Sequence, residues 1–253
     1  MSSLKPTDLN ASIRAIPLPA NMLDRPVSRQ GYPVPFFAGK VDGEWDFRVV
    51  HPETTIRCIR EKLCWVCGKP MGSKKAFVVG PMCVITRTSA EPPSHYSCGV
   101  YAAIACPFLA SPRMKRNAAD LPEGHTPPAG QAIMRNPGCA AVLVTRSYRP
   151  FNDGQGGLLI EMGRPEAVEW YAKRGHATFT DVMTSIESGI GTLWDHCDKE
   201  IDTATQVEAR HELGIRLANT LRWLPAPSDE ELLTASQSIA DIVSPPLTPP
   251  VAE

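Results

Sequence analysis

Two short pairs of potential metal ligands constrain this chain more than any other feature. The first is Cys64-Trp-Val-Cys67, followed directly by Gly68; the second is His95-Tyr-Ser-Cys98. Each pair encloses two residues, and residues 68–94 separate the pairs. A C-x2-C turn lets two thiolates converge on one ion, and the following glycine relieves the tight backbone. Pro92-Pro93-Ser94 leads into the second pair. The apolar run after it predicts a helix from Ser97 to about Cys106, ended by Pro107. First-turn N–H groups and the helix dipole favour anionic thiolate at such a place. Zinc takes four tetrahedral ligands in structural sites, and Cys3His is a standard set. The expected cofactor is therefore a structural Zn2+ held by Cys64, Cys67, His95 and Cys98.

The chain has eight cysteines. Cys106 lies eight residues past Cys98, about two helical turns on, too far to share the ion without distortion. Cys83, in Pro81-Met82-Cys83, is the better substitute ligand, in place of His95. Cys58, Cys139 and Cys197 read as small hydrophobes packed in a core. A redox role for Cys64-Trp-Val-Cys67 wants a strand before it and a helix after it, and neither is evident. The opening Met1-Ser2-Ser3-Leu4-Lys5 has no apolar core with a cleavage site. No apolar run approaches the ~18 residues of a membrane span. A cytoplasmic setting with reduced thiols is the expectation.

The net charge of −1 conceals an asymmetry. Residues 1–56 carry 6 basic and 6 acidic side chains, residues 57–150 carry 13 and 4, and residues 151–253 carry 7 and 17. A basic block attracts phosphate or acidic protein. Its cations surround the ligand pairs: Arg57, Arg60, Lys62, Lys69, Lys74, Lys75 and Arg87, then Arg113, Lys115 and Arg116. If they share a face, nucleic acid is the first expected partner, with Arg60, Lys62, Lys69, Lys74, Lys75 and Arg87 as its contacts. Two other readings compete: the basic and acidic blocks face each other, or the acidic helical third docks a protein.

The coarse pattern is α+β. Residues 1–30 are Pro-punctuated and irregular; 31–163 form a metal-containing α+β region; 164–243 are helical; 244–253 are a Pro-rich tail. Asp42-Gly43 signals a hairpin between Phe36-Phe37 and Trp45–Val50. Thr54–Leu63 reads as a helix with Ile56, Ile59 and Leu63 on one face. Ala76–Gly80 and Cys83–Thr86 read as strands around Gly80-Pro81. Ala140–Tyr148 and Gly157–Met162 read as an antiparallel pair turned at Asn152–Gly157. Pro165 to Gly175 reads as a helix. Val182, Ile186, Ile190, Leu193 and Cys197 share a helical face. Thr203 with Gln206 fits a capping box opening a helix that carries Val207, Leu213, Leu217, Leu221 and Leu224. Glu230–Val243 gives a weaker helical signal.

Residues 62–106 resemble a treble-clef zinc finger: a knuckle, a β-hairpin, then a helix whose first turn supplies the last ligands. The resemblance implies a small module around a structural zinc, and treble clefs serve many functions. A wider resemblance spans roughly residues 31–200. Gly31-Tyr-Pro-Val-Pro-Phe36, Cys64-Trp-Val-Cys-Gly68, Ala76-Phe-Val-Val-Gly-Pro-Met-Cys83, Glu91-Pro-Pro-Ser-His95, Cys106-Pro-Phe-Leu109 and Val144-Thr-Arg-Ser-Tyr148 look like an uncharacterised zinc-binding family of bacteriophages and bacteria. It implies the cytoplasm of a host cell and no particular activity.

Enzyme readings fit less well, and no catalytic residue is assigned. His51-Pro52-Glu53 before Cys64 is similar to the zinc-deaminase signature, but 10 residues are too few for the intervening elements. It also leaves His95 and Cys98 unexplained. An HNH-like metal-dependent nuclease needs a general-base histidine near the hairpin and further ligands on the helix. His95 is already a ligand candidate, and Ser97–Ala105 contains neither Asn nor His. His125, His176, His196 and His211 lack ligand-spaced partners. Gly154-Gln-Gly-Gly157 reads as a hairpin turn, not a phosphate-binding loop. The sequence thus points to a binding protein with a structural metal.

Overall fold

The computed structural model describes residues 4–112, 114–115, 121, 129–130, 136–154, 156–231 and 242–243. The loop containing His125, the cations Arg113 and Arg116, most of the segment Glu230–Val243 and the tail 244–253 lie outside the described residues. The chain mixes helices with antiparallel sheets. Strands β1 (Ala38–Val41) and β2 (Glu44–Val50) form the expected hairpin. Asp42 and Gly43 at its turn have φ of 51° and 84°, the left-handed pair a two-residue turn demands. Helix α1 (Pro52–Glu61) follows. Among its described side chains Cys58 is the buried one, whereas Ile56 is half exposed, so the apolar face is rotated from the expected one.

Strand β3 (Lys75–Val79) matches expectation, but Pro81–Thr86 is helix α2 rather than a strand. The reason is local. Gly80 caps the segment in an extended conformation, Pro81 sits at the first helical position, and Arg87 closes the turn at φ 54°. Proline is preorganised there, which outweighs the β-branched run Val84-Ile85. A two-residue strand β4 (Thr88–Ser89) and helix α3 (Tyr96–Ala105) complete this part. No β-hairpin therefore lies between the two ligand pairs.

Strands β5 (Ala140–Thr145) and β8 (Ala167–Ala172) extend β3 into a four-stranded antiparallel sheet, β3-β5-β8-β9, with β9 (Gly175–His176) at its edge. The expected pairing of 140–148 with 157–162 is corrected: β6 (Tyr148–Asn152) pairs with β7 (Leu158–Met162) in a second sheet, β4-β7-β6. The expected helix from Pro165 is also corrected. Val168, Trp170 and Ala172 alternate into the core, and Lys173-Arg174 form a left-handed turn into β9. The period is two, and a proline near an element's start is as compatible with a strand as with a helix.

Helices α4 (Phe179–Cys197) and α5 (Thr203–Leu221) close the main core. Val182, Ile186, Ile190 and Cys197 are buried as expected, with Leu193 packed beside them. A Cβ at Gly189 would sit 3.3 Å from Met82, so this glycine lets α2 approach. The capping box of α5 is Asp202 with Thr205, one residue earlier than expected. Asp202 accepts from the Thr205 N–H at 2.9 Å, and carboxylate outranks threonine as a cap. Leu213 and Leu217 point inward, whereas Val207 is exposed.

The four-stranded sheet lies between two apolar layers. Phe77, Ala141, Leu143, Val168 and Trp170 face α2, α4 and α5, while Ala76, Val142, Val144 and Tyr171 face α3. Period two on a central strand makes both faces of β5 apolar. Leu143→Ala should cost about 2–5 kcal/mol in urea unfolding, because a fully buried side chain leaves a cavity. Ile56→Ala should change stability by less than about 0.5 kcal/mol.

Candidate metal centre

Cys64 and Cys67 sit in a tight loop between α1 and β3. Leu63 bridges Pro70 across its neck. The Cys64 N–H donates to the Lys69 carbonyl at 2.9 Å, and the Gly68 N–H donates to the Cys64 carbonyl at 2.8 Å. Gly68 has φ 77°, and a Cβ there would fall 2.5 Å from Phe36. Both backbone and space therefore require glycine. His95 is the N-cap of α3, and Cys98 lies in its first turn.

The loop and the helix start meet. One ligand atom from each of Cys64, Cys67, His95 and Cys98 lies within 4.8 Å of all the others. The Cys67 Sγ is 3.3 Å from His95 Nδ1, and the Cys98 Sγ is 3.9 Å from it. Zinc–sulfur bonds of ~2.3 Å and a zinc–nitrogen bond of ~2.0 Å at tetrahedral angles place such atoms about 3.5 Å apart. The imidazole is oriented from behind. Its Nε2 is 3.0 Å from the Pro70 carbonyl oxygen, an acceptor, so Nε2 carries the proton. Nδ1 is then the nitrogen turned toward the sulfurs, with a carbonyl behind the ring, the arrangement metal-binding histidines use. The residues fit a divalent metal ion.

The electrostatics of the cluster point the same way. The Cys64 thiol is pushed far down, first by hydrogen bonds from the Cys67 and Cys98 thiols. The backbone N–H groups of Cys67 (3.4 Å) and His95 (3.3 Å) also donate to its sulfur. Cys67 and Cys98 are pushed up, first because each is bonded to Cys64. A negative charge on one sulfur thus resists ionisation of the other two. A divalent cation removes that resistance. Arg25 lies half-buried nearby, its Nε donating to the Val34 carbonyl at 2.9 Å. Burial lowers its pKa, and Asp24, Cys67 and Cys64 oppose that. Its charge offsets the net −1 of a Cys3His site holding a divalent ion.

Around the ligands packs a small core: Leu9, Ile13 and Met22 from the N-terminal segment, Val66 from the loop, and Tyr101 and Ala105 from α3. The Tyr101 hydroxyl is buried there without a hydrogen-bond partner, and so is the Trp65 indole N–H in a separate cluster with Cys58 and Leu63. Each such group costs about 1–3 kcal/mol. Sequence reasoning missed Arg25, Tyr101 and the N-terminal apolar residues, since only tertiary contact brings them to the ligands. Gly68 was the one local signal available.

The remaining cysteines stand apart from the cluster. All eight are free. Burial pushes the thiols of Cys58 to about 12 and of Cys83 and Cys139 to about 11, and raises Cys106 and Cys197. Such thiols are neutral and inert. Among the described residues, no second group of three or more Cys, His, Asp or Glu gathers ligand atoms in this way.

The six expected nucleic-acid contacts are scattered in circumstance. Arg60 and Lys62 are exposed at the end of α1, although Arg60 bonds Glu61 at 2.9 Å. Lys74 is exposed just before β3. Lys69 pairs with Asp24 at 3.2 Å. Lys75 is buried, with its ammonium on the carbonyls of Gly72 and Ser73, so it offers no surface charge. Arg87 lies beside Tyr148 and Arg149, in another cleft. The basic and acidic blocks also meet directly, through Arg146–Glu166 and Arg149–Glu161. No protein-family model, no curated protein and no solved structure matches the chain.

Metal binding needs the ligand sulfurs as thiolates, so protons still bound to them are released. Affinity should therefore rise with pH, by about tenfold per unit for each proton released. Competition titrations against a chelator at several pH values measure this. A pH-independent affinity would mean that the thiols are not the ligands.

Proposed function

We propose that the chain is a zinc-binding protein whose ion is structural, and that the cationic rim around it contacts nucleic acid. One observation carries the first half: three buried or near-buried sulfurs and an oriented imidazole nitrogen converge from a knuckle and a helix start. Four protein ligands leave no position for an activated water, which favours a structural over a hydrolytic ion. This sets the reading above a metal-dependent nuclease. The order of ligands, knuckle first and helix second, is that of a treble clef, with β3, α2 and β4 in place of the hairpin.

The second half rests on Arg60, Lys62 and Lys74, which stay exposed around the knuckle. Lys62 and Lys75 are close enough for Lys62 to add to the burial that lowers the Lys75 pKa. The local field is thus positive, and phosphate is the complementary group. A protein partner at the acidic helices is the competing reading, favoured by the exposed apolar Val207 and Ile215 on α5.

Elemental analysis of the purified protein should return one zinc per chain, lost in Cys64→Ser. Chelator should lower the Tm of the natural protein and leave Cys64→Ser unmoved. Structural zinc contributes ~10 kcal/mol or more in small zinc domains. A Tm indifferent to chelator would overturn the structural role.

Gel-shift titration tests the partner. Three phosphate contacts give a log–log salt slope of about −2.7 on duplex DNA, or about 40-fold weaker binding from about 50 to 200 mM salt. Replacing Arg60, Lys62 and Lys74 with Gln should abolish that slope. No shift at low salt removes the nucleic-acid reading.

A further inference from the structure

We infer that the cleft at the end of the β4-β7-β6 sheet is a site for a phosphoryl group, built by Arg87, Ser147 and Arg149. The cleft encloses about 260 Å³ and is separate from the metal centre. It goes beyond the zinc reading and does not depend on it.

Three guanidinium groups gather here from distant parts of the chain. Arg87 closes α2, Arg149 lies on β6, and Arg216 comes from α5. Two are committed. Arg216 donates to the Thr86 carbonyl at 3.0 Å and pairs with Glu212. Arg149 donates through Nε and Nη2 to a single oxygen of Glu161, at 3.0 and 2.7 Å. The Arg87 guanidinium makes no hydrogen bond or ion pair among the described residues. Its charge is still felt at both carboxylates: Glu161 is held below the usual range first by Arg149, with Arg87 and Arg216 adding, and Glu212 first by Arg216, with Arg87 adding. Three cations against two anions leave the cleft with one positive charge in excess.

The backbone fixes this geometry. The Met162 N–H donates to the Arg87 carbonyl at 2.7 Å, and the Gly163 N–H donates to the Ser147 carbonyl at 2.9 Å. Arg87 and Ser147 are thereby held on either side of the end of β7. The Ser147 hydroxyl, like the Arg87 guanidinium, has no partner among the described residues. A fork of donors with an unspent hydroxyl matches a tetrahedral oxyanion, and arginine matches phosphate in shape as well as charge. Glu161 keeps Arg149 extended across the strand pair and leaves its remaining nitrogen available. The ligand class is a phosphate ester, either a free phosphorylated compound or a nucleic-acid backbone.

The test uses the full metal-loaded chain, with arginine Nε–H resonances followed by NMR during titration with inorganic phosphate at constant ionic strength. Saturable shifts at Arg87 and Arg149 are expected. Arg87→Asn, which tolerates the left-handed backbone, should weaken binding by about tenfold. Ser147→Ala, which removes no existing hydrogen bond, should weaken it by about threefold. Shifts that do not saturate, or that survive both substitutions, overturn the proposal. A single-stranded oligonucleotide then separates the two sources. Displacement of phosphate by the oligonucleotide assigns the site to nucleic-acid backbone. Saturable phosphate binding without displacement assigns it to a free phosphate ester. Failure of the rim to bind DNA would leave the phosphate titration unaffected, so the two readings fail separately.

Discussion

Three thiols and an imidazole drawn within 4.8 Å of one another cannot remain a neutral packing detail. Sulfurs this close resist ionising together, since charge on Cys64 pushes the Cys67 and Cys98 thiols up. A divalent cation turns that mutual repulsion into attraction. The same point joins segments that are far apart in the chain. The loop at Cys64–Cys67, the start of α3 and the N-terminal residues Leu9, Ile13 and Met22 all contribute to one small core. That core contains a buried hydroxyl with no partner, so packing alone is a weak source of its stability.

The rest of the fold has a different basis. The main core on β3, β5 and β8 is apolar and large, and α4 and α5 cover it along continuous stripes. Burial of that area supplies stability without a metal. The two cores are linked by α3, which gives Tyr101 and Ala105 to the metal-side core and packs on the second face of the four-stranded sheet. Helix α3 therefore has two tasks. Its N-terminal turn presents His95 and Cys98, and its body packs on Ala76, Val142 and Val144. Chelation should act on the first without dissolving the second.

Charge is distributed less simply than the blocks of sequence suggest. Cross-block pairs such as Arg146–Glu166 and Arg149–Glu161 neutralise part of the asymmetry. Lys75 is spent on backbone carbonyls, and Lys69 on Asp24. What remains falls in two places: the segment between α1 and β3, with Lys62 and Lys74 after an exposed Arg60 that pairs with Glu61, and the cleft that holds Arg87. Both suit phosphate, but through different geometries. The proposed rim is an open surface, and the proposed cleft gathers its guanidinium groups at the end of a sheet.

Spacing and residue chemistry sufficed to pick out four residues that lie together and could hold a metal ion, because C-x2-C and H-x2-C pairs impose convergence through local backbone geometry. The Asp42-Gly43 hairpin and the α4 stripe were legible for the same reason: a turn or a period is a property of neighbouring residues. Pro81–Thr86 and Ala167–Ala172 were misread because a short apolar run with a nearby proline is compatible with either period, and only the partner elements decide. The pairing of β5 with β3 and β8, rather than β7, was equally invisible, since register is chosen by which apolar faces meet. The sequence by itself determined which atoms could grip a cation and that the chain would be α+β. Tertiary structure alone decided that Arg25 and the N-terminal segment would close around them, that Lys75 would be buried, and that Arg87 would meet Arg149. Those outcomes depend on packing between segments tens of residues apart, and no local propensity encodes such a meeting.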